Sequence, residues 1–185
     1  PDGHISLTDL EGAIRSDTIL VSTILVNNEI GAVQDAAAIG KLIKKMNPDI
    51  VYHTDAVQAF GKYEIFPSKM NIDLLSVSGH KLHGPKGIGF LYVNPKIKMR
   101  PLILGGGQQK GRRSGTDNVP GAAGLAVAAS EAYKELTAHN EHMTALKDRL
   151  TDGLLELGDR LGRENPEITI KVNSKKGDLS APHIV

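Results

Sequence analysis

Apolar positions along the chain fall into two rhythms. Leu7, Leu10 and Ile14 recur at helical spacing and predict a short helix over 6–15. "TILVSTILV" (18–26) is a nearly unbroken apolar, β-branched run, the pattern of a strand buried on both faces. After a polar turn, Ile39, Leu42, Ile43 and Met46 mark an amphipathic helix that ends near Asn47-Pro48. "DIVYHTDA" (49–56), "DLLSVSG" (73–79) and "GIGFLYV" (87–93) predict three more strands. Buried strands alternating with helices predict an α/β fold, a mostly parallel sheet with helices on both faces.

The rhythm changes after residue 103. "LGGGQQKGRRSGTDNVPG" (104–121) reads as a glycine-rich, basic loop, and "AAGLAVAASEAY" as a helix of small residues suited to close packing. Met143, Leu146, Leu150, Leu154, Leu157 and Leu161 follow at steps of three and four and predict the core face of a long helix. "EITIKV" (167–172) predicts a strand that opens a second layer. The expected division is a large domain over 1–136 and the beginning of a smaller α+β C-terminal domain over 137–185.

Composition narrows the function classes. With 185 residues, 40% hydrophobic and 23% charged, the chain can build a globular core. A net charge of +1 gives no bulk attraction to nucleic acid or to an anionic membrane surface. No apolar run reaches the roughly 18 residues of a membrane span, and no signal peptide is visible, so a cytoplasmic setting is the expectation. Cysteine is absent, which removes disulfides and thiolate metal sites, and no metal centre is expected. The glycines from Gly106 to Gly111 precede Arg112-Arg113-Ser114 where a P-loop needs Lys-Ser/Thr, so nucleotide binding is not expected. The chain lacks an initiator methionine, begins like the middle of a domain, and is read as an internal piece of a longer protein.

In open parallel sheets ligands bind at the carboxyl ends of the strands, and three such ends here are polar. The first apolar run leads into Asn27, Asn28 and Glu29, the second into His53, Asp55 and Gln58, the third into Ser78, His80 and Lys81. An amide, an acid and a lysine delivered to one crevice suit pyridoxal 5'-phosphate. Its aldehyde needs an amine, its pyridine nitrogen needs a carboxylate, and its phosphate needs small hydroxyls, N–H groups and a cation. Asp55 also suits a helix N-cap and Asn28 a turn. His53 and His83 stand between structural and site roles and are not assigned.

"VNNEIGAVQD", "YHTDAVQAFGK", "SVSGHKLHGPKGIGFLYV" and "GGGQQKGRRSGT" closely resemble, in order and spacing, successive motifs of the cysteine desulfurases. These belong to the class V aminotransferase group of fold-type I pyridoxal-phosphate enzymes, and the resemblance implies an aspartate-aminotransferase-like large domain. It also implies that Lys81 is the catalytic lysine that bonds the cofactor. Asp55 pairs with the pyridine nitrogen in that reading, and Gln58 with the phenolic oxygen. Asn28 lies near that oxygen and the substrate carboxylate. Ser78 and His80 hold the phosphate, Gly79 permits close backbone approach, and Thr116 reaches the phosphate of a neighbouring subunit, which implies a homodimer.

The implied reaction removes sulfur from L-cysteine, leaving L-alanine and an enzyme persulfide that supplies iron–sulfur clusters, tRNA thiolation or other sulfur-acceptor proteins. The family's catalytic cysteine and carboxylate-binding arginine are expected beyond residue 185, and its ring-stacking histidine before residue 1. The alternatives are a selenocysteine lyase, another class V enzyme, or a non-catalytic scaffold. Retention of lysine, aspartate and glutamine together argues against the scaffold.

Overall fold

The computed structural model describes residues 2–174 and 177–185. Four strands form one sheet: β1 (Leu20–Ile24), β2 (Val51–Asp55), β3 (Leu74–Ser78) and β4 (Gly89–Val93), in the order β1-β2-β3-β4. β1, β2 and β3 run parallel, and β4 returns antiparallel to β3. The fold is therefore the expected mostly parallel α/β sheet, with strands shorter than the apolar runs that announce them. In β1 only five residues of the nine-residue run take the ladder; beyond it the Leu25 N–H still donates to the Asp55 carbonyl at 2.8 Å, while the Leu25 carbonyl accepts the Gln34 N–H at 2.9 Å and Val26 bridges Val33.

Four helices accompany the sheet: α1 (Leu7–Ala13), α2 (Ala36–Met46), α3 (Val119–Lys134) and α4 (Leu136–Glu164). Their starts follow from capping chemistry. The Asp35 carboxylate accepts the Ala38 N–H at 2.9 Å, and Asn118 accepts the Gly121 N–H at 3.0 Å, satisfying donors that the first turn leaves open. Ile39 and Ile43 of α2 are buried in one cluster with Tyr52, Leu75 and Val77. Gly40 lies where α2 crosses the 66–70 turn. A Cβ there would stand 2.1 Å from the Met70 carbonyl oxygen, so nothing larger than glycine fits.

Alternation gives the sheet two unlike faces. Tyr52 and Thr54 of β2 and Leu75 and Val77 of β3 are buried on the α2 side. The other face carries Ser22, His53, Asp55, Ser76 and Ser78. A buried carboxylate with a half-buried lysine anchors the strand starts. Lys44 Nζ donates to Asp73 Oδ2 at 2.6 Å, and the Tyr52 N–H donates to the same oxygen at 2.9 Å.

Two expectations for the last fifty residues fail. The segment 167–172 forms no strand. A strand needs a ladder partner, and among the described residues none runs beside it. Instead Ile170 lies against Gly158 of α4, where a Cβ would stand 2.9 Å from its own. The leucine face of α4 is also not a core face throughout. Leu146 and Leu150 are each 51% exposed, while the buried residues of this helix are Lys147 and Thr151. Lys147 Nζ reaches Ser180 Oγ at 2.6 Å and the Ala181 carbonyl at 2.9 Å, so the polar side of α4 is the side that meets the chain's last turn. Glu135, non-helical at φ −123°, separates α3 from α4.

Candidate functional site

The carboxyl ends of β2 and β3 are adjacent, with Asp55 the registered partner of Ser76. Asp55, Ser76 and Ser78 share the open face by alternation, and β3 runs straight into a 3₁₀ turn, Gly79–Leu82, that carries His80 and Lys81. The structure thus brings Asp55, Ser78, His80 and Lys81 to one edge of the sheet. Asp55 Oδ1 accepts the Val57 N–H at 2.8 Å, which turns the chain at the strand end. Only one of its two oxygens is used by that turn. Ser78 Oγ and His80 Nδ1 share a hydrogen bond of 2.8 Å, and both His80 and Lys81 are exposed. Gln58 is half-buried in the turn after β2.

Asn28 is exposed, and the turn beyond β1 does not use its amide. Asn27 builds that turn, its Oδ1 accepting the N–H groups of Glu29 at 2.9 Å and Ile30 at 3.0 Å. Gly79 is buried, and its amide donates to the Ile88 carbonyl at 2.9 Å. A Cβ on it would stand 3.0 Å from Ile88 and 3.2 Å from Leu125, so glycine here admits neighbouring protein. Thr116 is not gathered with Lys81. It lines a separate open cavity of about 950 Å³ between β4 and α3, whose wall includes Phe90, Arg112, Arg113 and Leu125.

The sequence reading left out His53, which period-two alternation from Asp55 could have put on the same face. Its Nδ1 is 2.7 Å from Ser22 Oγ and its Nε2 is 2.8 Å from Ser76 Oγ, a polar row across three strands. Burial lowers the His53 pKa against the opposing pull of Asp55, which favours the neutral ring. Lys62 is a second residue of this kind. It lies beside the Lys81 turn, its pKa lowered by burial first and by the Lys81 charge second. No sequence pattern marks it, because its contact is to a backbone carbonyl.

The donor set fits pyridoxal phosphate. One carboxylate oxygen remains for a pyridine nitrogen, a hydroxyl–imidazole pair for a phosphate, and an exposed amine for an aldehyde. Among the described residues no group of three or more His, Asp or Glu side chains is arranged to hold a metal, and no helix is long and apolar enough to cross a membrane.

Comparison with known proteins decides the family. Residues 1–179 match the family model of aminotransferase class V. The chain belongs to the class-V aminotransferase family. Its curated relatives within that family include cysteine desulfurases. It is 48% identical over 155 residues to the cysteine desulfurase IscS of Methanosarcina thermophila, covering 84% of this chain and 38% of that protein. Among solved structures, a NifS-like protein superposes with a TM-score of 0.82 at 43% identity, over 85% of this chain and 43% of the other. SspA in complex with cysteine superposes with a TM-score of 0.67 at 48% identity, over 70% of this chain and 37% of the other. This class-V chain therefore spans less than half the length of the relatives it matches.

Proposed function

We propose that the protein carrying this chain is a pyridoxal-phosphate-dependent cysteine desulfurase. The observation that carries the reading is the shared edge of β2 and β3, where Asp55 is in register with Ser76 and the Lys81 turn begins at Ser78. The substrate assignment, L-cysteine, draws support from the M. thermophila relative and from the SspA complex with cysteine.

In this reading Lys81 would hold the cofactor through its aldehyde carbon and would move protons at the substrate carbon. Asp55 holds a proton on the pyridine nitrogen, and Gln58 donates to the phenolic oxygen. Ser78 and His80 grip the phosphate. Gly79 keeps the turn tight against Ile88, and the exposed amide of Asn28 orients the substrate carboxylate. When bound, the cofactor supplies an electron sink conjugated to that carbon. His53, held neutral by burial, stiffens the sheet under Asp55 through its two serine partners.

The chain has no cysteine, so the thiol that accepts sulfur is assigned to another part of the whole protein. We assign 1–136 to the cofactor-binding large domain and 137–185 to the start of the small one, a division supported by the helix break at Glu135. Thr116 is assigned to a homodimer contact that reaches the partner's phosphate. Its place on an exposed loop, lining a cavity apart from Lys81, is compatible with service to a second subunit. Sulfur-acceptor proteins follow as partners.

Lys81→Ala in the full-length protein tests the assignment. The visible absorbance of bound cofactor and the release of sulfide from L-cysteine should both fall to background. Undiminished turnover in that variant would overturn the assignment.

A further inference from the structure

The turn that carries Lys81 is held from outside at its carbonyl. Lys62 Nζ donates to the Lys81 carbonyl oxygen at 2.9 Å. The turn's other backbone bonds stay within the 79–88 stretch, the Gly79 N–H donating to the Ile88 carbonyl at 2.9 Å. The Gly84 N–H donates to the Gly79 oxygen at 2.9 Å, and the His83 N–H is directed to the same oxygen. His83, at φ 65°, then ends the turn in the left-handed region. The peptide that follows Lys81 thus takes a side-chain ammonium as partner instead of a helical neighbour.

Lys62 is itself gripped from three sides. Its N–H donates to the Ala59 carbonyl at 3.0 Å, and its own carbonyl accepts from Asn140 Nδ2 of α4 at 2.7 Å. Tyr133 of α3 accepts the Gly61 N–H at 3.2 Å and donates to the Tyr63 carbonyl at 3.1 Å, bracketing Lys62 on both sides. Withdrawing an ammonium from water is unfavourable unless a partner compensates it. A lysine stem could instead extend into solvent, yet this one is held on a backbone whose direction is fixed by two helices.

We propose that Lys62 is a positioning residue for Lys81: its ammonium fixes the peptide plane that follows Lys81, and with it the direction in which the Lys81 side chain leaves the turn. The inference rests on the reading of Lys81 as the cofactor lysine. It also links α4, through Asn140, to the site. A charge-assisted hydrogen bond is stronger and more directional than a neutral one, which suits it to holding one peptide in one orientation. Its loss lets the turn sample other orientations, and fewer of them present the amine where the aldehyde arrives.

The experiment compares wild type, Lys62→Met and Lys62→Arg in the full-length protein. Methionine keeps an unbranched apolar stem without the donor, whereas arginine restores a charged donor. Each protein is stripped of cofactor and titrated with pyridoxal phosphate, followed by the visible absorbance of the attached form. The melting temperature is measured before titration. Lys62→Met should bind the cofactor roughly tenfold more weakly, with the cofactor-free melting temperature changed by no more than a few degrees. Lys62→Arg should recover most of that loss. The inference is overturned if Lys62→Met binds as wild type. It is equally overturned if binding falls only together with the melting temperature and Lys62→Arg restores neither. A wild-type protein that takes up no pyridoxal phosphate would instead overturn the proposed function, and this inference with it.

Discussion

The β1–β3 sheet with α2 and the long helix α4 each carry an apolar face legible in the sequence and use it in opposite ways. In the sheet region Ile39, Ile43, Ile50 and Tyr52 are 2% exposed or less, and they form one cluster. In α4 two leucines of the predicted core face are half in solvent, while a lysine and a threonine are buried. Periodicity therefore identifies which residues share a face, and the partner decides whether that face is a core. α2 has its partner in the same stretch of chain, on the sheet strand that follows it. α4 meets the last turn of the chain through its polar side, with Lys147 on Ser180 and Ala181.

The sharpest way to break this comparison is a pair of truncations. Ile43→Ala should cost about 3–4 kcal/mol in urea unfolding, because it removes a fully buried side chain and leaves a cavity. Leu150→Ala, at 51% exposure, should cost less than about 1 kcal/mol. Equal losses at the two positions would mean that the leucine face of α4 is a core after all.

What the sequence made legible follows the same division. The strand ends were legible because Asp55 and Ser78 close two adjacent parallel strands, and the apolar runs before them are unmistakable. The helix of small residues became α3, where Gly124 lets Pro85 approach so closely that a Cβ would stand 2.7 Å from its ring. The strand expected over 167–172 failed because β-propensity states suitability for a ladder and cannot supply the neighbour. Asn27 and Asn28 are identical in type, and only backbone geometry separates the turn builder from the free amide. The roles of Lys62 and Lys147 were hidden for another reason. Lysine on a polar surface is the ordinary expectation, and a carbonyl acceptor leaves no mark in sequence.

A second prediction tests whether the sheet region depends on polar anchoring as well as apolar burial. Asp73 accepts from Lys44 Nζ and from the Tyr52 N–H on Oδ2, and from Asn94 Nδ2 on Oδ1 at 3.3 Å. Asn in its place turns one of those oxygens into a donor: an amide nitrogen at the Oδ2 position deprives both Lys44 and the Tyr52 N–H, one at the Oδ1 position deprives Asn94, and Lys44 loses its counter-charge in either case. Asp73→Asn should cost about 2–3 kcal/mol, below the usual loss for a fully buried pair because Lys44 retains some water. A loss under about 0.5 kcal/mol would make the anchor dispensable.

The smallest effect lies at the contact between α4 and the chain's last turn, and it is read by pH. Both ring nitrogens of His183 are buried without a hydrogen-bond partner. Burial first, then the ammoniums of Lys62, Lys147 and Lys81, push its pKa from the ordinary 6.5 to about 4. Between those values the unfolded chain takes up a proton that the native imidazole refuses. Stability should therefore fall as pH drops from about 6.5 toward about 4, and this contribution should be constant above about 7. The ring is not wholly enclosed, so solvent screening holds the loss to about 1–2 kcal/mol. His53, its pKa also lowered chiefly by burial, adds a loss of the same sign from the sheet region. His183→Asn separates the two, since an amide does not titrate in this range. Urea unfolding at several pH values should show a shallower acid decline in the variant than in wild type. Parallel curves would place all of the acid sensitivity elsewhere and leave the α4 contact without a titrating group.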